Sequence, residues 1–220
     1  MLFMASESEM IRLYGKRAPH YDAYSKIFPL LGFRIEFYRR KAIAALDLKP
    51  GETVIDLACG TGLNFSHLQK AVGKEGRIIG VDICEAMLFE ARKKIQENGW
   101  KNVELVKCDV AEYKFPKNVD GIISTYAITL VPQYDNVISR GAAALKPEKR
   151  FVILDFKKPE GWPDWFVRLT VRLFVAPFGG GLEMAERHPW ESIEYNLTMV
   201  SFREFYFGAV YLVCGERTRL

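Results

Sequence analysis

Three apolar runs in the first half of the chain each carry an aspartate at or beside their C-terminal end. They are Val54-Ile55-Asp56-Leu57-Ala58, Ile78-Ile79-Gly80-Val81-Asp82 and Leu105-Val106-Lys107-Cys108-Asp109. Stretches of helical spacing at 64–72 and 85–97 separate them, the second closed by Asn98-Gly99. Two further short apolar runs, 121–126 and 150–156, flank a helical stretch at 133–145. Short apolar strands alternating with helices describe a parallel sheet covered on both faces. The tail predicts a helix over 162–174 and two strands, 204–206 and 209–214, joined at Gly208. The expected fold is therefore α/β, a Rossmann-like doubly wound sheet of seven mainly parallel strands, with a C-terminal antiparallel hairpin. Ahead of it, 8–25, broken near Pro19, and 30–46 read as N-terminal helices. No linker is long enough to divide the chain, so 1–220 reads as one domain. Residues 1–46 form a lid segment, 47–156 a ligand-binding core and 157–220 an acceptor side.

Composition narrows the class. The 220 residues are 26% charged and 49% hydrophobic, which excludes a disordered or collagenous chain. The net charge of +4 lies in residues 1–50, where nine Lys and Arg face five Asp and Glu. An anionic partner or surface is one reading of that excess, and a solvated helix is the other. Cys59, Cys84, Cys108 and Cys214 lack a C-x-x-C spacing and read as reduced buried thiols of a cytoplasmic protein, with no metal site. No run is apolar enough to span a bilayer, and Met1–Met10 has no basic leader.

In a doubly wound sheet, ligands bind outside the carboxyl ends of the strands, where strand order reverses. Asp56, Asp82, Asp109 and the turn Gly60-Thr61-Gly62 should line that crevice. Gly60 and Gly62 let main chain approach a ligand without a Cβ between them. Asp82, at the end of the second strand, can accept both hydroxyls of a ribose, and Asp109 can accept an adenine amino group. A dinucleotide fingerprint asks for a third glycine where this chain has Phe65, which turns the reading from an NAD-dependent oxidoreductase to a single nucleoside.

At these residues the chain resembles the class I S-adenosylmethionine-dependent methyltransferases. The resemblance rests on Asp56-Leu57-Ala58-Cys59-Gly60-Thr61-Gly62, Val81-Asp82, Cys108-Asp109 and Leu145-Lys146-Pro147, and covers about residues 40–156. Ala58 departs from the glycine often found there. The resemblance implies S-adenosylmethionine as cofactor, held by Asp56, Ala58, Gly60, Thr61, Gly62, Asp82, Ile83, Met87, Asp109, Val110 and Ser124. It also implies that Ser124 to Tyr126 face the methyl group and its acceptor. The segment Tyr14-Gly15-Lys16-Arg17-Ala18-Pro19-His20-Tyr21-Asp22 is similar to the lid of quinone-pathway and phospholipid methyltransferases, with Tyr21 closing over the cofactor and Tyr14 second.

The acceptor leaves alternatives open. Tyr38-Arg39-Arg40-Lys41-Ala42, Gly60–Phe65 and Phe207-Gly208 resemble small bacterial lipid-headgroup N-methyltransferases, acting on phosphatidylethanolamine or betaine-lipid precursors. On that reading a neutral amine is methylated by direct displacement, and Tyr126, Trp190 and Tyr195 hold the ammonium product. The alternative is C- or O-methylation of a quinone precursor or other small molecule, which asks for a base such as His188. Tyr21, Tyr126 and His188 are the candidate catalytic residues. His20 and His67 are weaker, His67 reading as structural. Residues 27–41 and 162–175 mix aromatics with basic residues, which fits either peripheral contact with an anionic membrane or helices packed in the core. Ser124-Thr125-Tyr126-Ala127 does not match the Asn-Pro-Pro-Tyr grip on a flipped base, so no nucleic-acid partner is expected. A non-catalytic scaffold would have no need of three crevice carboxylates.

Overall fold

A computed structural model of the chain describes residues 5–25 and 32–219. Residues 27–31 of the first amphipathic segment, and the start of the helix expected from residue 30, fall outside them. The strands are β1 (Thr53–Leu57), β2 (Arg77–Asp82), β3 (Val103–Lys107), β4 (Val119–Thr125), β5 (Leu145–Phe156), β6 (Thr198–Phe205) and β7 (Val210–Glu216). They form one sheet in the order β3-β2-β1-β4-β5-β7-β6. The first five run parallel, while β7 pairs antiparallel with both β5 and β6. Strand order reverses between β1 and β4, where Leu57 stands opposite Ser124.

Successive strand residues point to opposite faces, and each face has its own helices. Ile55, Leu57, Ile122, Phe151, Ile153 and Val213 pack with α6 (Tyr134–Ala144) and α8 (Pro189–Asn196). Val54, Ile78, Ile123, Val152, Leu154 and Leu212 pack with α3 (Ile35–Ala45), α4 (Phe65–Val72) and α5 (Glu85–Glu97). Burial on both faces explains why β1, β2 and β4 read as continuous apolar runs.

The N-terminal helices are α1 (Glu7–Arg17) and α2 (Tyr21–Ser25), joined by a 3-10 turn containing Pro19. Ser6 and Glu9 form a capping box that starts α1: the Ser6 hydroxyl accepts from the Glu9 amide at 3.4 Å, and the Glu9 carboxylate accepts from the Ser6 amide at 2.8 Å. Such a box contributes about 1 kcal/mol to a helix end. After β5 comes α7 (Asp164–Thr170), which loosens into a wider π-type turn over Val171–Val175 and then two 3-10 turns.

Several elements differ from the sequence expectation. Strand β5 starts at Leu145, five residues before the expected 150. The helix expected over 162–174 is regular only to Thr170. Strand β6 begins six residues before the expected 204, because it is an edge strand whose Val200 and Phe202 stay exposed. Helix α8 was not expected at all: its short stripe, Ser192 and Ile193 behind Pro189, has too few apolar positions to register as a period.

Candidate functional site

Main-chain geometry builds one side of the crevice. After β1 the chain turns through Ala58 at φ 52°, Gly60 at 55° and Gly62 at 74°. Ala58 is thus held in the left-handed conformation at a cost of about 1–2 kcal/mol, which is why glycine suits that position. A Cβ on Gly62 would lie 2.5 Å from the ring of Phe65, and one on Gly80 would lie 2.7 Å from it. The fully buried Phe65 therefore fills the space left by two glycines, and this explains its presence at the third fingerprint position.

Asp82 joins this turn to the next helix. One carboxylate oxygen accepts the Gly60 amide at 2.8 Å and the other accepts the Cys84 amide at 2.8 Å. Burial pushes its pKa up, against those N–H donors. An ionised carboxylate has about four acceptor positions, so capacity for ribose hydroxyls remains. Asp109 is half-buried and accepts the Ala111 amide at 2.9 Å. Ile83 is half-buried, whereas the Val110 side chain packs in the core.

Asp56 is fully buried. One oxygen accepts from the Asn64 amide group at 2.9 Å and the other has no partner. Burial raises its pKa to about 7, with the Asn64 hydrogen bond and Arg39 opposing. Asn64 also donates to the Thr125 hydroxyl at 3.1 Å. Arg39 donates to Asn64 at 2.9 Å and to Thr125, leaving its Nε–H unpartnered. The Ser124 hydroxyl is likewise buried and unpartnered. A line of hydrogen bonds thus runs from β1 to β4, bordered by three unsatisfied polar atoms. Buried groups of that kind ask for a ligand. A ligand carrying both an ammonium and a carboxylate, as the methionine part of S-adenosylmethionine does, fits this donor and acceptor set.

Arg39 was read from the sequence only as part of a surface basic cluster. The structure corrects this: the side chain is 7% exposed. The clue lay in the spacing, since Tyr38, Arg39, Ala42 and Ile43 form the buried stripe of α3.

The lid lies over the crevice. Met87 of α5 and Cys84, which caps that helix, pack with Ala18, Tyr14 and Tyr21. Asp22 accepts from the Thr61 hydroxyl at 2.6 Å and pairs with Lys94 at 2.7 Å, and Lys94 donates to the Thr61 carbonyl at 2.9 Å. The Tyr14 hydroxyl donates to the Phe178 carbonyl at 3.1 Å, tying α1 to the far wall.

That far wall encloses a cavity of about 560 Å³. Tyr21, Arg39 and Tyr126 line its crevice end, and Phe166, Val167 and Val171 of the segment around α7 line its outer side. Lys157 and Lys158 also line it, and no carboxylate does among the described residues. Tyr126 stands at φ 58°, a strained position for a bulky residue, with the Arg39 guanidinium 5.1 Å from its ring centre. Its hydroxyl is buried and unpartnered. The turn carrying it is anchored by Asp155 at the end of β5, which accepts the Thr129 and Phe156 amides at 2.9 and 2.8 Å. Burial raises the Asp155 pKa to about 6.

The other candidates are not brought there. His188 precedes α8, beside Glu191 at 3.1 Å, and is not among the residues lining the cavity. Trp190 packs on Tyr211, and Tyr195 is 90% exposed, so the expected cage of Tyr126, Trp190 and Tyr195 does not form. His20 is exposed, and His67 pairs with Glu36 on the surface. The four cysteines are free. Among the described residues, no helix is long and apolar enough to cross a membrane.

Comparison with known proteins agrees with this geometry. Residues 4–182 match the model of the ubiE/COQ5 methyltransferase family. A demethylmenaquinone methyltransferase of Listeria welshimeri is 27% identical over 203 residues, covering 90% of this chain and 82% of that one. One from Symbiobacterium thermophilum is 31% identical over 156 residues, covering 70% and 61%. A SAM-dependent methyltransferase from Aquifex aeolicus shares the fold at a TM-score of 0.58 and 22% identity, over 80% of this chain and 88% of that one. Geranyl diphosphate C-methyltransferase from Streptomyces coelicolor does so at 0.66 and 14%, over 82% and 76%. The chain belongs to the ubiE/COQ5 methyltransferase family and is an S-adenosylmethionine-dependent methyltransferase.

Proposed function

We propose that this methyltransferase acts on a ring carbon of a prenylated hydroquinone, of the demethylmenaquinol type. The carrying observation is the composition of the cavity: aromatic and aliphatic walls, three cationic side chains and no carboxylate. A phosphoethanolamine ammonium would find no carboxylate in that lining, since Glu204 and Asp164 lie outside it and are engaged by Lys157 and Lys158. A flat aromatic ring with an apolar tail suits the walls, and its hydroxyl suits the cationic end. The relatives named demethylmenaquinone methyltransferases support the same choice over headgroup N-methylation.

In this reading Asp82 holds the ribose of the cofactor, Asp109 lies at the adenine, and Asp56 and Arg39 face the ammonium and carboxylate of its methionine part. Ala58, Gly60, Thr61 and Gly62 provide the turn beneath it, and Ser124 completes the wall. Bound there, the cofactor supplies an electrophilic methyl group. Carbon becomes nucleophilic when the adjoining ring hydroxyl ionises. Arg39 favours that anion electrostatically, and Tyr126, whose hydroxyl has no partner in the protein, is placed to donate a hydrogen bond to its oxygen. The hydroxyl proton leaves to water before the site closes. The methyl–sulfonium bond would break as the methyl–carbon bond forms, and the proton on the methylated ring carbon would then be lost to water, restoring the aromatic ring. Tyr21 and Tyr14 exclude solvent above.

The test supplies methyl-labelled S-adenosylmethionine with either a prenylated demethylhydroquinone or phosphatidylethanolamine. Label on the ring carbon of the quinone is expected. Label on the lipid amine, with none on the quinone, would sink the proposal.

A further inference from the structure

The wall helix that closes the cavity carries a second apolar row on its outside. Trp165, Leu169 and Leu173 are 67%, 42% and 55% exposed, while Phe166, Val167 and Val171 of the same segment face the cavity. Arg168 and Arg172 stand beside that row, both exposed, and neither has a hydrogen bond or ion pair among the described residues. Like charges one helical turn apart repel each other and weaken a helix unless an anion meets them. From Asp164 to Glu183 these two arginines are the charged residues between the acids at either end, and Asp164 is paired with Lys158. At the cavity rim, the β6–β7 turn passes through Tyr206, Phe207 and Gly208 at φ 50°, 57° and 82°. This left-handed run is costly at two aromatic residues, and it leaves Phe207 84% exposed while still lining the cavity.

We infer that this face is a docking surface for an anionic lipid bilayer. Trp165, Leu169 and Leu173 would enter the headgroup boundary, and Arg168 and Arg172 would meet lipid phosphates. Charge selects this occupant: an apolar row with two unpaired cations fits an anionic interface, the one acid of α7, Asp164, being paired with Lys158. The cavity rim then opens beside the membrane. The inference does not depend on which acceptor the cavity takes.

Sedimentation of the whole chain with sucrose-loaded vesicles tests it, with neither cofactor nor acceptor present. Binding is expected to vesicles containing phosphatidylglycerol, to be weak on phosphatidylcholine alone and to fall with salt. Two variants, R168E/R172E and W165S/L169Q/L173Q, are each expected to weaken it at least about tenfold, with cofactor affinity unchanged. The charge variant alters only exposed groups, so it reports even if the apolar variant misfolds. The inference is overturned if the native chain stays in the supernatant with both vesicle types, or if R168E/R172E binds as the native chain does. It is also overturned if W165S/L169Q/L173Q converts a dimer to a monomer, since the row would then join two copies of the chain.

Discussion

On the β1–β3 side of the crevice, polar side chains are held by main chain: Asp82 by the amides of Gly60 and Cys84, Asp109 by that of Ala111. On the β4–β5 side the cavity is walled by aromatic and aliphatic side chains, carried partly on a loosened helix and a strained turn. On the proposed assignment, one half would hold the cofactor with fixed dipoles and the other an apolar shape with side-chain volume. In the first half each carboxylate also closes the local backbone, so a change there disturbs both. The second can vary by single side chains without disturbing the sheet.

Substitutions should separate the halves. The largest effect is expected for Asp82→Ala, which removes the anchor of Gly60 together with the ribose acceptor. Cofactor affinity measured by calorimetry should fall by about 1.5–3 kcal/mol, while the KM for acceptor at saturating cofactor changes little. An unchanged dissociation constant would take Asp82 out of that half. Next comes Val171→Phe, which narrows the cavity. The KM for a long-tailed acceptor should rise about tenfold, with a smaller change for a tailless one and none in cofactor affinity. A matching loss of cofactor affinity would show that the halves are not separable. The last concerns stability rather than binding, at Asp56. Burial raises its pKa above the unfolded value of 3.8 to about 7. Between those values the native state binds more protons than the unfolded state, so stability of the free protein should decline as pH rises from about 4 to 7. Asp56→Asn should flatten that decline in urea titrations, leaving the part owed to Asp155 and Asp82.

The same division decides what the sequence reveals. Asp56, Gly60, Gly62, Asp82 and Asp109 are visible because strand ends and a left-handed turn fix their spacing along the chain. The parallel sheet is visible because burial on both faces writes continuous apolar runs. The acceptor side has no such imprint. Phe166 and Val171 read as generic apolar residues, and which of them faces a cavity is settled by packing against residues more than a hundred positions away. Arg39 is the instructive case. Its charge suggests solvent, yet its place between Tyr38 and Ala42 puts it inside, where hydrogen bonds to Asn64 and Thr125, the Asp56 carboxylate and the Tyr126 ring make it tolerable. Trp190 and Tyr195 mislead in the opposite way: their aromatic character suggests a ligand cage, and α8 turns them to other uses.

The clasp between Asp22, Thr61 and Lys94 has a kinetic consequence. On the proposed assignment Thr61 belongs to the turn beneath the cofactor and Asp22 to the lid above it, so these contacts join the floor and roof of one compartment. Parting of the two Asp22 contacts would then gate the exchange of spent for fresh cofactor, and the cofactor's residence time would be tuned by part-buried polar groups that take no part in the chemistry.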